Sequence, residues 1–130
     1  MTTTDLAARL RAVVEERLAV ARAATPGPWH WWHPPSWDHT GPDLHGPDEI
    51  EIAVARGYDE SCLEIRDGDA EFIALNDPAD VILACQRDLA VLERHGARDY
   101  NDGPGCAPCG GPWPCPEVRD MATRYRMEVT

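Results

Sequence analysis

Three cysteines fall between residues 106 and 115, inside the stretch "GPGCAPCGGPWPCP" that spans residues 103–116. No other feature limits the local fold as much. Glycine and proline fill most of the stretch, so no helix can run through it, and it reads as a loop. Cys106 and Cys109 have Cys-x-x-Cys spacing, whose tight turn lets both thiolates point the same way, and Pro108 with Gly110–Gly111 suits that turn. A structural zinc ion takes four tetrahedral ligands, sulfur or imidazole nitrogen, and Cys115 offers a third sulfur. Cys115 precedes Pro116 and so stands at the N-cap of the last helix, where unpaired N–H groups and the helix dipole favour a thiolate. For a fourth ligand the near candidate is His95, three residues past Leu92 in the last turn of the preceding helix. A histidine at a helix C-terminus also has an ordinary reading, a protonated ring meeting the dipole. A dithiol redox pair is a weaker fit, because such motifs follow a strand at a helix N-terminus.

The surrounding pattern is mixed. Residues 4–24 form an amphipathic helix with Leu6, Leu10, Val13, Val14, Leu18 and Ala21 on one face, stopped by "TPGPW". A short strand is expected at Trp29–Trp32, and residues 34–48 read as loop. "EIEIAVARG", with Ile50, Ile52 and Val54 inward, and "CLEIR" then read as an antiparallel hairpin that the Trp29 strand extends to three strands. "GDAEFIALND" is a short helix. "DPADVILACQRDLAVLERHG" is the clearest helix: Asp77 caps it, Pro78 takes the first position, Gly96 ends it, and Val81, Ile82, Cys85, Leu89 and Leu92 face inward. "PEVRDMATRYRM" closes the chain as a helix with Val118, Met121, Ala122 and Tyr125 on one side. The fold class is therefore α+β: an N-terminal helix over 4–24, loop and small antiparallel sheet over 29–67, helices over 69–95, a cysteine-rich zinc knuckle over 96–116 and a helix over 116–127.

At 130 residues the length points to one domain able to bury its own core. No apolar run reaches the span of a membrane helix and no leader pattern is visible, which predicts a cytoplasmic protein. Five cysteines, an odd number, then argue for thiols and metal over a disulfide framework. Cys62 and Cys85 each stand alone in an apolar period, where cysteine acts as a small hydrophobe. The net charge is −11, and residues 38–80 carry it, with thirteen acids against Arg56 and Arg66. Such a segment repels nucleic acid and suits either solubility or a basic partner. All twelve basic residues are arginine, a codon-usage sign of a GC-rich genome.

"PWHWWHPPSWDH" gathers Trp29, Trp31, Trp32 and Trp37 with His30, His33 and His39. Strand alternation puts Trp31 on the side of Trp29 and turns Trp32 outward, so Trp32 and Trp37 are candidates for a protein-contact surface. His30, His33, His39 and His45 could form a second metal site, although their spacing matches no common template.

"AATPGPW", "DAEFIALNDPADVILACQRDLAVLERHG", the Cys-x-x-Cys and "WPCPEVR" together resemble an actinobacterial and actinophage family of small proteins, domain of unknown function 6221. The first two features are also similar to Ea22-like phage accessory proteins. The resemblance covers residues 6–25 and 69–120, and it implies a ligand set of His95, Cys106, Cys109 and Cys115. The family's apolar tail is replaced here by "MATRYRMEVT", and the resemblance implies no activity.

Three functions follow as expectations. One is a non-enzymatic accessory protein with a structural zinc and a protein partner, binding neither membrane nor nucleic acid directly; no nucleophile elbow, phosphate loop or His-Glu-x-x-His is present. Another is an acidic mimic of nucleic acid that inhibits a basic host factor. A third is a small metal-dependent hydrolase using His30, His33, Asp38 and His39.

Overall fold

The computed structural model describes residues 3–32, 43–53 and 67–129. They contain four helices and two three-stranded antiparallel sheets, an α+β arrangement. In chain order these are α1 (Thr3–Ala23), β1 (His30–Trp32), β2 (Asp43–His45), β3 (Glu51–Ala53), α2 (Asp67–Leu75), α3 (Pro78–Arg94), β4 (Ala97–Tyr100), β5 (Gly103–Cys106), β6 (Gly111–Pro112) and α4 (Pro116–Arg124). Two compact units divide them, Met1–Ala19 with Leu83–Thr130, and Val20–Ile82.

The first unit is built on helix faces that the sequence periodicity marks out. Leu6 and Leu10 of α1, Leu92 of α3, and Val118, Met121 and Ala122 of α4 form one buried cluster. Cys106, Trp113 and Cys115 belong to the same cluster, so the cysteine-rich stretch is part of the core and not a surface appendage. Residues 96–116 are more ordered than a loop. β4 and β5 pair from Ala97↔Cys106 to Tyr100↔Gly103, and β5 pairs with β6 through Gly105↔Pro112 and Cys106↔Gly111. These strands lack apolar alternation, because short ribbons held by backbone pairing around a tight turn do not need a buried face of their own.

Asp88 of α3 occupies a position in the helix register between Cys85 and Leu92, and only 2% of it is exposed. Arg124 donates to both of its oxygens, at 3.1 and 3.0 Å, and the Tyr125 hydroxyl donates at 2.7 Å. The carboxylate thus ties α3 to the end of α4, and a bidentate guanidinium with a third donor is what a buried charge requires. The Arg17 guanidinium of α1 lies 5.0 Å over the Tyr125 ring.

The second unit contains the other sheet, in order β1–β2–β3. Its register pairs His30↔His45, Trp31↔Leu44 and Trp32↔Asp43, with a bulge between Leu44 and His45 on the β3 side. The central strand β2 lies inside the stretch expected to be loop. "DLH" has one apolar residue, too short a run to show a period, yet all three of its residues are buried. Ile50, expected inward, precedes β3 and is 48% exposed. Val54 and "CLEIR" lie outside the described residues.

Asp77 joins two of the sequence motifs within this unit. One carboxylate oxygen accepts the Asp80 N–H at 3.2 Å as the N-cap of α3, and the other accepts the Trp29 N–H at 3.2 Å. A Cβ on Gly27 would stand 2.7 Å from that carboxyl, so "PGPW" needs its glycine for the approach. The indoles find backbone acceptors, Trp29 on the Thr25 carbonyl at 2.9 Å and Trp31 on the Ala70 carbonyl at 2.7 Å.

Candidate metal centre

Three separate pieces of the first unit supply one cluster. Helix α3 ends at Arg94, and the next residue, His95, is buried with its N–H bonded to the Val91 carbonyl at 2.8 Å. The β5–β6 turn carries Cys106 and Cys109, closed by the Gly110 N–H on the Cys106 carbonyl at 2.8 Å. Gly110 has φ +72, a left-handed conformation that favours glycine directly after the second cysteine. Cys115 is the N-cap of α4, with extended backbone and Pro116 in the first turn. Its side chain makes no capping hydrogen bond, which leaves the sulfur for the cluster.

His95 Nδ1 lies 3.4 Å from Cys106 Sγ, 3.4 Å from Cys109 Sγ and 3.6 Å from Cys115 Sγ. One N–H cannot aim at three acceptors, so hydrogen bonding does not explain three near-equal distances. The four ligand atoms lie within 4.8 Å of one another and could hold a metal ion. His95, Cys106 and Cys115 are buried and Cys109 is exposed. With protons alone in the cluster, hydrogen bonding to Cys106, then lost solvation and the nearness of Cys115, push the Cys109 thiol up to about 12. A cation held by the cluster would take the place of thiol protons.

The other ring nitrogen has a partner for each tautomer. His95 Nε2 stands 3.4 Å from Arg94 Nε and 3.5 Å from a carboxylate oxygen of Glu117. Arg94 can donate only to a bare Nε2, whereas Glu117 accepts only from a protonated one. A cation on Nδ1 requires the proton on Nε2, so Glu117 is the partner of a metal-bound ring. The Trp113 indole donates to the His95 carbonyl at 2.8 Å and holds the same residue by its backbone.

The profile of a family of unknown function (DUF6221) matches residues 3–127. The chain belongs to this family. No curated protein and no solved structure matches it significantly.

The structure brings together all four residues that the cysteine spacing and the family resemblance single out. Trp32 is 40% exposed at the end of β1, while Trp37 lies outside the described residues, as do His33, Asp38, His39 and Cys62. Cys85 is buried, and burial first, then the nearby Asp88 charge, pushes its thiol up. Such a thiol is a poor nucleophile. Among the described residues no helix is long and apolar enough to cross a membrane. Glu117 and Trp113 escape sequence reasoning about ligands. The available signal is positional: Glu117 lies two residues after the Cys115 ligand, in the first turn of α4.

Proposed function

We propose that the cluster is a structural zinc site and that the protein is a non-enzymatic accessory protein, of the kind carried by actinobacteria and their phages, acting through contact with another protein. The observation that carries the zinc reading is the set of three nitrogen–sulfur distances. A tetrahedral zinc ion, with bonds of about 2.05 Å to nitrogen and about 2.3 Å to sulfur, separates those atoms by about 3.6 Å. The three distances of 3.4, 3.4 and 3.6 Å match that edge. A set of one imidazole and three thiolates selects zinc over the harder divalent ions. Four protein ligands leave no position for a substrate or a reactive water, which favours structure over catalysis. The contact role rests on Trp32, an exposed indole on a sheet whose flank carries Glu49 and Glu51.

Native mass spectrometry and elemental analysis of the purified chain test the site. One zinc per chain is expected, lost in both Cys106→Ser and His95→Ala. A chain purified without tightly held metal, or a His95→Ala variant that keeps its zinc, would overturn the assignment.

A further inference from the structure

A second group of metal-ligating side chains lies in the sheet β1–β2–β3. His45, in the central strand, is 8% exposed. Its Nδ1 stands 2.6 Å from a Glu49 carboxylate oxygen, so Nδ1–H donates and Nε2 is the nitrogen left for another partner. Nε2 is buried and has no hydrogen-bond partner among the described residues. It is aimed toward Asp43, whose nearer oxygen is 3.7 Å away, too far for a hydrogen bond. Glu51, the cross-strand partner of His45, brings a second carboxylate. Ligand atoms of Asp43, His45 and Glu51 all lie within 4.8 Å of one another.

A buried ring nitrogen that lacks a hydrogen-bond partner and faces the Asp43 carboxylate is favourable around a cation. We propose that Asp43, His45 and Glu51 form a second site, for a divalent transition-metal ion, with Glu49 orienting the imidazole. The ring plane is already held. Trp32 stacks on it with centroids 6.1 Å apart and 12° between planes, and His30 meets it edge-on at 5.8 Å. A carboxylate on the far nitrogen of a metal-binding histidine is the usual support for such a ligand. Bonds of about 2.0–2.2 Å would bring the ligand atoms to roughly 3.0–3.5 Å of one another, a small closure that the exposed Glu51 side chain can supply. One imidazole and two carboxylates suit manganese, cobalt or zinc, and three protein ligands leave coordination positions to water.

His30, His45 and Glu49 also come within 4.8 Å of one another. Using that trio would require breaking the 2.6 Å contact between His45 and Glu49 and would leave Nε2 buried and unpartnered, so the Asp43–His45–Glu51 set is the one the geometry favours. The competing occupant of the space is a proton on Nε2 with a water bridging to Asp43, which binds no cation.

The test is equilibrium dialysis of the whole chain, its cysteine cluster already loaded with zinc, against Mn²⁺ and separately against Co²⁺. Bound metal is counted by elemental analysis, and Mn²⁺ also by paramagnetic resonance. One additional ion per chain is expected. Binding should weaken at least ten-fold in Asp43→Asn and Glu51→Gln, and about ten-fold in Glu49→Gln. Glu51 is exposed, so its variant keeps the fold, verified by an unchanged circular dichroism spectrum. No additional ion of either metal, or binding indifferent to Glu51→Gln, would overturn the proposal. Binding lost in His30→Ala but kept in Glu51→Gln would overturn it in favour of the His30–His45–Glu49 trio.

Discussion

Glu117 and Cys115 share the first turn of α4, so one helix end supplies both a sulfur ligand and the carboxylate that faces His95 Nε2. Metal on Nδ1 and proton on Nε2 are one state of the ring, and Glu117 stabilises that state. Glu117→Gln is therefore expected to weaken zinc binding by about ten- to a hundred-fold, read by competition with a chromophoric chelator. Arg94→Ala should not weaken it, since the Arg94 contact belongs to the other tautomer. Asp88 raises a similar question of which group holds the proton. Tyr125 donates to it, and desolvation first, then that hydrogen bond, raises the phenol above its ordinary pKa of about 10. The folded state thus keeps the proton more tightly than the unfolded chain does. Its contribution to stability is complete below pH about 10 and is lost as pH rises beyond that value. Tyr125→Phe is expected to cost about 2 kcal/mol in denaturant unfolding at neutral pH, the worth of a hydrogen bond to a charged group. The variant should also lose less stability than the parent between pH 10 and the alkaline limit.

Helix α4 has nine residues, too few to persist by itself, so its ends and its buried face must hold it. At its C-terminus the Arg126 N–H bonds the Thr123 carbonyl at 3.0 Å and the Met127 N–H bonds the Ala122 carbonyl at 2.8 Å. That is a Schellman closure, and it places Arg126 at φ +56, where a side chain is strained. Arg126→Gly should stabilise the protein by about 1 kcal/mol, measured as a shift in the urea midpoint at constant slope. Asp77 does comparable work at the start of α3. Asp77→Ala removes the cap and leaves the Trp29 N–H without its acceptor, at an expected cost of about 2 kcal/mol. These elements also show where sequence reading succeeds. Asp77, Pro78 and Gly96 bound α3 by local chemistry, and Val118, Met121 and Ala122 declare the inner face of α4 by spacing. β2 escapes because a three-residue strand carries no period, and β4–β6 escape because glycine- and proline-rich ribbons paired locally through the backbone show no apolar alternation. Asp88 escapes too: its helix gives no sign of a buried acid, and its partners Arg124 and Tyr125 lie 36 and 37 residues away.

In the unit that holds the cysteines, two of the four candidate ligands are also core residues: Cys106 and Cys115 pack with Leu6, Leu10, Leu92 and Met121. A metal there would fasten the end of α3, the β5–β6 turn and the start of α4 at one point, and each of those segments is short. The three cysteines are legible by their spacing, while His95 is one candidate at a helix end until the family resemblance singles it out. The acids around His45 are not legible, because Asp43 shares its strand inside a stretch that reads as loop and Glu51 meets it only through sheet register. Removing the metal should therefore act on part of the chain. With a chelator of zinc at neutral pH, amide exchange is expected to accelerate in β4, β5, β6 and α4. The sheet β1–β2–β3 and helix α2 should keep most of their protection, since none of the four ligands comes from them. Acid should produce the same pattern without a chelator, because three thiolates and an imidazole regain protons as the metal leaves. If chelation instead collapsed protection evenly along residues 3–129, the metal would be holding the whole chain and not one end of it.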